Sequence, residues 1–239
     1  MPAYFRTRRD GEQVSLKRKG SRGIFITVEG VEGSGKTTQV QRLARLLRKE
    51  GYRVLETREP GGTPLAESIR RILLHSTAER MDPRCEALLI LAARSQHVAR
   101  VIKPALDRGL VVLCDRFFDS TLAYQGYGRG LDVGVLRRLN RFATEGLEPD
   151  LSLLFDLPVG AGLARRRRNK LEQNRLDRES RRFHNAVRRG FLELASRAPR
   201  RIVVLDGTKS AETLADEVAA IVRRFLRRGV RRTGTRPAS

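Results

Sequence analysis

The chain has no tryptophan, two methionines, two cysteines and three histidines among its 239 residues, and aromatic residues make up only 5% of it. Each scarcity excludes something. Cys85 and Cys114 stand far apart, without a CxxC pair or a nearby histidine partner, which fits ordinary structural thiols in a reducing cytosol. So few aromatics leave out the interleaved stacking platforms of a single-strand nucleic-acid binder. No stretch approaches the roughly 18 consecutive apolar residues of a membrane span, and the N-terminal segment lacks the apolar core of a secretory signal. A cytoplasmic protein is therefore expected. Acidic residues are also in short supply, 27 against 49 Lys and Arg, for a formal charge of +22. Such an excess calls for an anionic partner, whether nucleotide, nucleic acid or an acidic surface, and says nothing about fold. The missing aromatics make nucleic acid the weaker of these choices.

What the chain does have is regular alternation. Residues 1–22 and 229–239 are Arg- and Lys-rich with no apolar period, and read as a flexible basic extension and a basic tail around a folded unit at 23–228. Inside that unit, apolar runs at 24–28, 54–56, 110–114, 151–155 and 201–205 have the composition of strands. Segments of helical period lie between and after them, near 36–50, 64–75, 83–108, 132–145, 159–169, 179–197 and 211–227. This β-α alternation predicts an α/β fold, a five-stranded parallel sheet with helices on both faces. Gly51 and Gly109 fall where left-handed C-caps are wanted, and Pro104 predicts a kink or break in the third helix.

The strongest local signal is Gly30-Val31-Glu32-Gly33-Ser34-Gly35-Lys36-Thr37, which follows a strand candidate and opens a helix candidate. Glycines let the chain turn back so that several backbone N–H groups point at one phosphate without a Cβ in the way. Lys36 then reaches the β- and γ-phosphates, Thr37 offers a hydroxyl to Mg²⁺, and the helix that continues through Thr38 aims its positive end at the anion. Residues 30–38 are thus the candidate ATP site. Asp115, ending the apolar run from Leu110, is the candidate second ligand of the metal.

A switch GTPase should also carry a DxxG turn and an Asn-Lys-x-Asp guanine reader. There is no DxxG, and Asn169-Lys170-Leu171-Glu172 ends in the wrong acid after an arginine run instead of a strand. A kinase needs cations around both substrates' phosphates and a movable cover that excludes water. Arg165 to Arg168, with Arg175 and Arg178 beyond them, supply such a lid at about 165–178.

The segments Arg58-Glu59-Pro60-Gly61-Gly62-Thr63, Asp115-Arg116 leading to Ser120-Thr121, Ala123-Tyr124-Gln125-Gly126 and the stretch Asn174 to Glu179 make the chain similar to bacterial thymidylate kinase over about residues 24 to 227. That resemblance implies a nucleoside monophosphate kinase-like P-loop NTPase that uses ATP and Mg²⁺ to convert dTMP to dTDP, in supply of dTTP for DNA synthesis. It implies that Glu59, Arg70, Arg94 and Arg116 surround the dTMP phosphate, with Glu59 acting through water or the metal. Guanidinium groups suit that task because they bind phosphate oxygens bidentately. The same resemblance implies that Tyr124 and Gln125 face the sugar and base, with Ser120 and Thr121 as further candidates for the pyrimidine edge, and that Glu32 senses the deoxyribose 3′-hydroxyl. A homodimer formed through helices is also implied.

Some members place a catalytic arginine in the P-loop; here the loop reads Glu32-Gly33-Ser34, so the resemblance assigns that role to the lid, with Arg167 favoured beside Lys36 and Arg116. Two departures matter. The helix over the base has Ile90 where the family generally has Phe, replacing stacking by aliphatic packing. The lid motif that usually reads Asp-Arg-x-Glu is Asn174-Arg175-Leu176-Asp177, which keeps the arginine and weakens the acids. Kinases for other monophosphates, dUMP above all, and a nucleic-acid-associated NTPase are the competing readings.

Overall fold

All five apolar runs become strands of one parallel sheet, and their short lengths match their short sequence signals. The computed structural model describes residues 22–74, 80–168, 175–176 and 178–232. The basic extension, apart from Arg22, therefore lies outside the described residues, as do 233–239 of the tail and the lid positions Asn174 and Asp177. The strands are β1 Ile24–Gly30, β2 Val54–Arg58, β3 Val111–Asp115, β4 Leu151–Asp156 and β5 Ile202–Asp206. Their order across the sheet is β2-β3-β1-β4-β5, every pair parallel.

Two-residue alternation along the strands decides which helices cover which face. Phe25, Val112, Cys114 and Leu154 point to one side, into a cluster with Ile102, Leu106, Tyr124, Phe183, Val187 and Phe191. Ile26, Val28, Val111, Leu113, Leu153 and Phe155 point to the other, against Val40, Leu43 and Leu47 of helix α1 (Lys36–Lys49) and Leu214, Val218 and Val222 of the C-terminal helix. The remaining helices among the described residues are α2 Pro64–Leu74, α3 Pro83–His97, α4 Lys103–Asp107, α5 Phe118–Thr121, α6 Val133–Ala143, α7 Val159–Arg168, α8 Arg181–Arg197 and α9 Ala211–Arg232. Helix α9 continues four residues past the boundary set at 228.

Pro104 breaks the third helix as its chemistry requires. It has no N–H to give the preceding turn, and the chain widens into a π-helical segment, Val98–Ile102, between α3 and α4. Gly51 and Gly109 close α1 and α4 with positive φ, 84° and 72°. The donors that follow reach back in the Schellman pattern, Tyr52 N to Leu47 O at 3.0 Å and Leu110 N to Ala105 O at 3.0 Å.

Residues 118–128 carry no period in the sequence and yet are helical. They form α5 and a second π-helical segment, Leu122–Gly128. Residues 118–126 are buried throughout, polar Ser120, Thr121 and Gln125 included. A helix enclosed on all sides has no apolar stripe for a periodicity argument to find.

Candidate active site

The Gly30–Thr38 loop leaves the carboxyl end of β1, the central strand, where parallel sheets place their ligands. Gly33 has φ 72°, and a Cβ there would sit 2.2 Å from the carbonyl oxygen of Gly162 in α7, so only glycine lets the loop lie against that helix. Gly35 has φ 89° and caps α1 without any side-chain hydrogen bond; no acid stands in the first turn. The first N–H groups of α1 therefore open onto the cleft, with the dipole favouring an anion. Lys36 is buried and its Nζ donates to Val31 O at 2.9 Å. Burial, with Arg116 adding to it, pulls its pKa down to about 8 against the pull of Asp115, Glu32 and Glu29. Thr37 Oγ1 donates to Asp115 Oδ2 at 2.5 Å, so the two candidate metal ligands, 78 residues apart, meet.

Arg116 follows Asp115 with φ 70°, a left-handed backbone that costs a non-glycine residue about 1–3 kcal/mol. The turn is held by Arg116 N donating to Val28 O at 2.9 Å and by the Cys114 thiol donating to Arg116 O at 3.0 Å. The guanidinium donates to Gly30 O at 3.1 Å and to Glu32 Oε1 at 3.1 Å, and lies 4.9 Å from the centre of the Tyr124 ring. Burial alone would disfavour its charge, but Tyr124, Glu32, Asp115 and Glu29 hold it firmly protonated. Glu32 also accepts from Tyr124 Oη at 2.6 Å. Burial would raise its pKa, yet Arg116, His184, Lys36 and Tyr124 together hold the carboxylate far below its ordinary range. Its other oxygen, Oε2, lies 3.5 Å from His184 Nδ1.

Beneath this turn, Glu29 accepts from Phe117 N at 2.8 Å and from Ser120 Oγ at 2.6 Å. Burial and the neighbouring Asp119 push its pKa up to about 8 against the hydrogen bonds and Arg116. Ser120 is thereby committed to the floor of the site.

The opposite wall comes from β2, α2 and α3. Glu59 is buried and accepts from Arg94 Nε at 2.7 Å and His97 Nδ1 at 3.1 Å. Arg94 also donates to Thr121 Oγ1 at 2.7 Å and to Asn140 Oδ1, so Nε and Nη1 of this predicted phosphate ligand are engaged within the protein. Arg70 donates to Pro60 O at 2.9 Å. Gln125 Nε2 donates to Glu86 Oε1 at 2.7 Å, and Glu86 further accepts from Arg129 and from Arg175.

These walls enclose a cleft of about 640 Å³. It brings together Glu32, Gly33, Ser34, Gly35, Lys36, Thr37, Thr38, Glu59, Arg70, Ile90, Arg94, Asp115, Arg116, Ser120, Thr121, Tyr124 and Gln125 of the residues named from sequence. Gly30 and Val31 lie behind the loop, where their carbonyls hold Arg116 and Lys36. Arg167 is exposed and does not line the cleft, whereas Arg165 and Arg166 do. Successive helical residues point about 100° apart, so a run of arginines cannot all face one way, and sequence alone did not fix which do. Two parts were missed altogether. One is Glu86, whose acid looked like any first-turn helix residue. The other is Thr208 to Ala211, the end of the loop after β5 and the start of α9, which closes the cleft beside the P-loop; Arg165 braces the loop by donating to Gly207 O at 2.9 Å and to Thr208 O at 3.4 Å. Nothing in that Thr-Lys-Ser-Ala stretch distinguishes it from an ordinary connection.

Comparison with known proteins gives a consistent result. The family model for thymidylate kinase matches residues 28–218. The thymidylate kinase of Thermomicrobium roseum is 55% identical over 207 residues, 87% of this chain and 98% of the relative. That of Syntrophotalea carbinolica is 52% identical over 200 residues, 82% of this chain and 93% of the relative. The crystal structure of thymidylate kinase from Ehrlichia chaffeensis superposes with a TM-score of 0.68 at 35% identity, covering 84% of this chain and 99% of that one.

Proposed function

The chain belongs to the thymidylate kinase family, and on that premise we propose that it transfers the γ-phosphoryl group of ATP to dTMP, giving dTDP and ADP, within the one cleft that runs from Gly33 to Gln125. The observation that carries this reading is the continuity of that cleft. A phosphate loop with its lysine lies at one end and a buried Tyr124–Gln125 pair, able to hold a sugar and a pyrimidine, at the other.

ATP lies along residues 30–38, its phosphates on the N–H groups of the loop and α1, with Thr208 to Ala211 beside its base. Thr37 and Asp115 fit Mg²⁺. Their side chains already touch, and Mg²⁺ takes few protein ligands, filling its shell with phosphate and water. When bound, the ion neutralises charge on the β- and γ-phosphates. The acceptor phosphate faces Arg70, Arg116 and the Glu59–Arg94 pair. Glu32, which lines the cleft beside Arg116 and Tyr124, receives the 3′-hydroxyl. Tyr124 and Ile90 bound the nucleoside, Thr121 and Gln125 its edge. Transfer is in line, and positioning with charge neutralisation does the work; no strong base is needed. Lys36 and Arg116 steady the charge as it moves, and the lid run Arg165 to Arg167 adds a cation, with Arg166 at the cleft wall.

No helix among the described residues is long and apolar enough to cross a membrane, and a cytoplasmic location suits a supplier of DNA precursors. Exposed Leu65 and Ile72 on α2, Leu88 on α3 and Val135 and Phe142 on α6 suit a homodimer formed through these neighbouring helices. The kinase reading is tested by ADP release from ATP with dTMP, dUMP, dCMP, AMP and GMP in parallel. dTMP is expected to have the highest kcat/KM, and preference for another acceptor would overturn the assignment.

A further inference from the structure

Glu86 is not among the groups assigned above to a phosphate, yet it is the most heavily bonded acid lining the cleft among the described residues. It sits in the first turn of α3, 1% exposed, and takes hydrogen bonds from three directions. Gln125 Nε2 donates to Oε1 at 2.7 Å; Arg129 donates Nε at 3.2 Å and Nη2 at 2.9 Å; Arg175 donates Nη2 to Oε2 at 2.5 Å. The two arginines are themselves fixed. Arg129 pairs with Glu179 at 2.7 Å and lies 4.6 Å from the centre of the Phe183 ring, while Arg175 donates Nε to Leu73 O at 3.0 Å.

We propose that Glu86 is a positioning residue for base selection: by accepting from Nε2 it fixes which way the Gln125 amide faces, and so restricts the cleft to pyrimidines that present an N3–H donor. The chemistry follows from the groups. A glutamine amide is nearly symmetric in shape, and turned over it exchanges an acceptor for a donor at the same place. An ionised carboxylate accepts and never donates, so the turned amide would set its oxygen against Glu86. Two arginines keep Glu86 ionised: burial opposes the charge, and the bonds from Arg129, Gln125 and Arg175 more than reverse this, lowering its pKa. The amide oxygen of Gln125, a cleft-lining residue, is thus left for the ligand. Thymine and uracil offer N3–H to such an oxygen. Cytosine offers a lone pair at N3 and would leave the two acceptors facing each other, which a buried site rejects strongly.

This inference rests on the kinase reading above, and its test separates the two. The substitution E86Q keeps the shape but can donate as well as accept, so the Gln125 amide is free to turn. The ratio of kcat/KM for dTMP to that for dCMP is expected to fall by about tenfold or more, with both nucleotides measured on wild type and variant in parallel. A wild type without preference for dTMP sinks the kinase reading itself. A selective wild type whose E86Q variant loses activity equally on both substrates, or on neither, overturns only the role given to Glu86. A second variant, E86D, retains an acceptor that cannot donate and should hold the ratio near wild type even where overall activity drops; loss of selectivity there counts against the proposal.

Discussion

Lys36 holds a charge that its surroundings oppose. Burial and Arg116 bring its pKa down to about 8, so the free protein carries the ammonium below that value and loses it above. Since kcat/KM reports the free enzyme, kcat/KM for ATP should fall about tenfold per pH unit above about pH 8. The decline in kcat should begin at higher pH, because bound phosphates favour the charged lysine. A profile of kcat/KM that stays flat to about pH 10 would contradict this. Lys36→Met removes the charge and keeps the bulk; kcat is expected to drop about 100-fold or more while the thermal midpoint holds or rises, because a desolvated cation has left the interior. At this scale the sequence was readable where a residue's type is its task. Lysine and threonine at fixed places in a glycine loop, and an acid ending a strand, could be named before any coordinates. Glu86 and His184 could not. Their importance lies in partners 39 and 152 residues away, Gln125 and Glu32, which spacing along the chain does not reveal.

The elements were legible in proportion to how unevenly they are buried. Helices α1, α6, α8 and α9 have one wet face and showed their period, and strands alternating between two dry clusters showed theirs. The enclosed turn from Phe118 to Gly128 did not, though it carries much of the acceptor wall. Helix α7 illustrates a different limit. Its four consecutive arginines announced a lid but not which of them reaches the cleft, and geometry favours Arg166 over Arg167. The two differ in what their loss should do. Arg166→Ala is expected to lower kcat by about 100-fold with little change in KM for dTMP, since a cation that acts on the moving phosphoryl group contributes mainly in the transition state. Arg167→Ala should stay within a few-fold of wild type. Steady-state kinetics on both variants decides, and the opposite ranking would mean that α7 turns on closure to present Arg167. Arg165→Ala should act instead through KM for ATP, because that side chain braces the loop at Gly207 and Thr208.

At the scale of the molecule, the charge of +22 was the most conspicuous number in the sequence and the least informative. Many of its arginines prove to be paired, among them Arg188 with Asp156 and Arg201 with Asp119, and others, Arg70 and Arg116 among them, line the cleft. Apolar exposure says more. Phe142 on α6 is 86% exposed, and Leu88, Ile72 and Leu65 on the adjoining helices are each more than half exposed. Large apolar side chains gathered on neighbouring elements mark a contact surface. A twofold dimer pairs such a surface with itself, so a charge placed there meets its own copy and is repelled. On the homodimer proposed above, Phe142→Asp should therefore shift the protein from dimer toward monomer in sedimentation velocity at micromolar concentration. The acceptor wall is built on these same helices, with Arg70 on α2 and Ile90 and Arg94 on α3. Separation should accordingly raise KM for dTMP more than KM for ATP, whose loop stands on α1. If Phe142→Asp left sedimentation unchanged, the helix surface would be excluded as the dimer contact; equal losses for both substrates would show that dissociation disturbs the whole sheet instead of one wall.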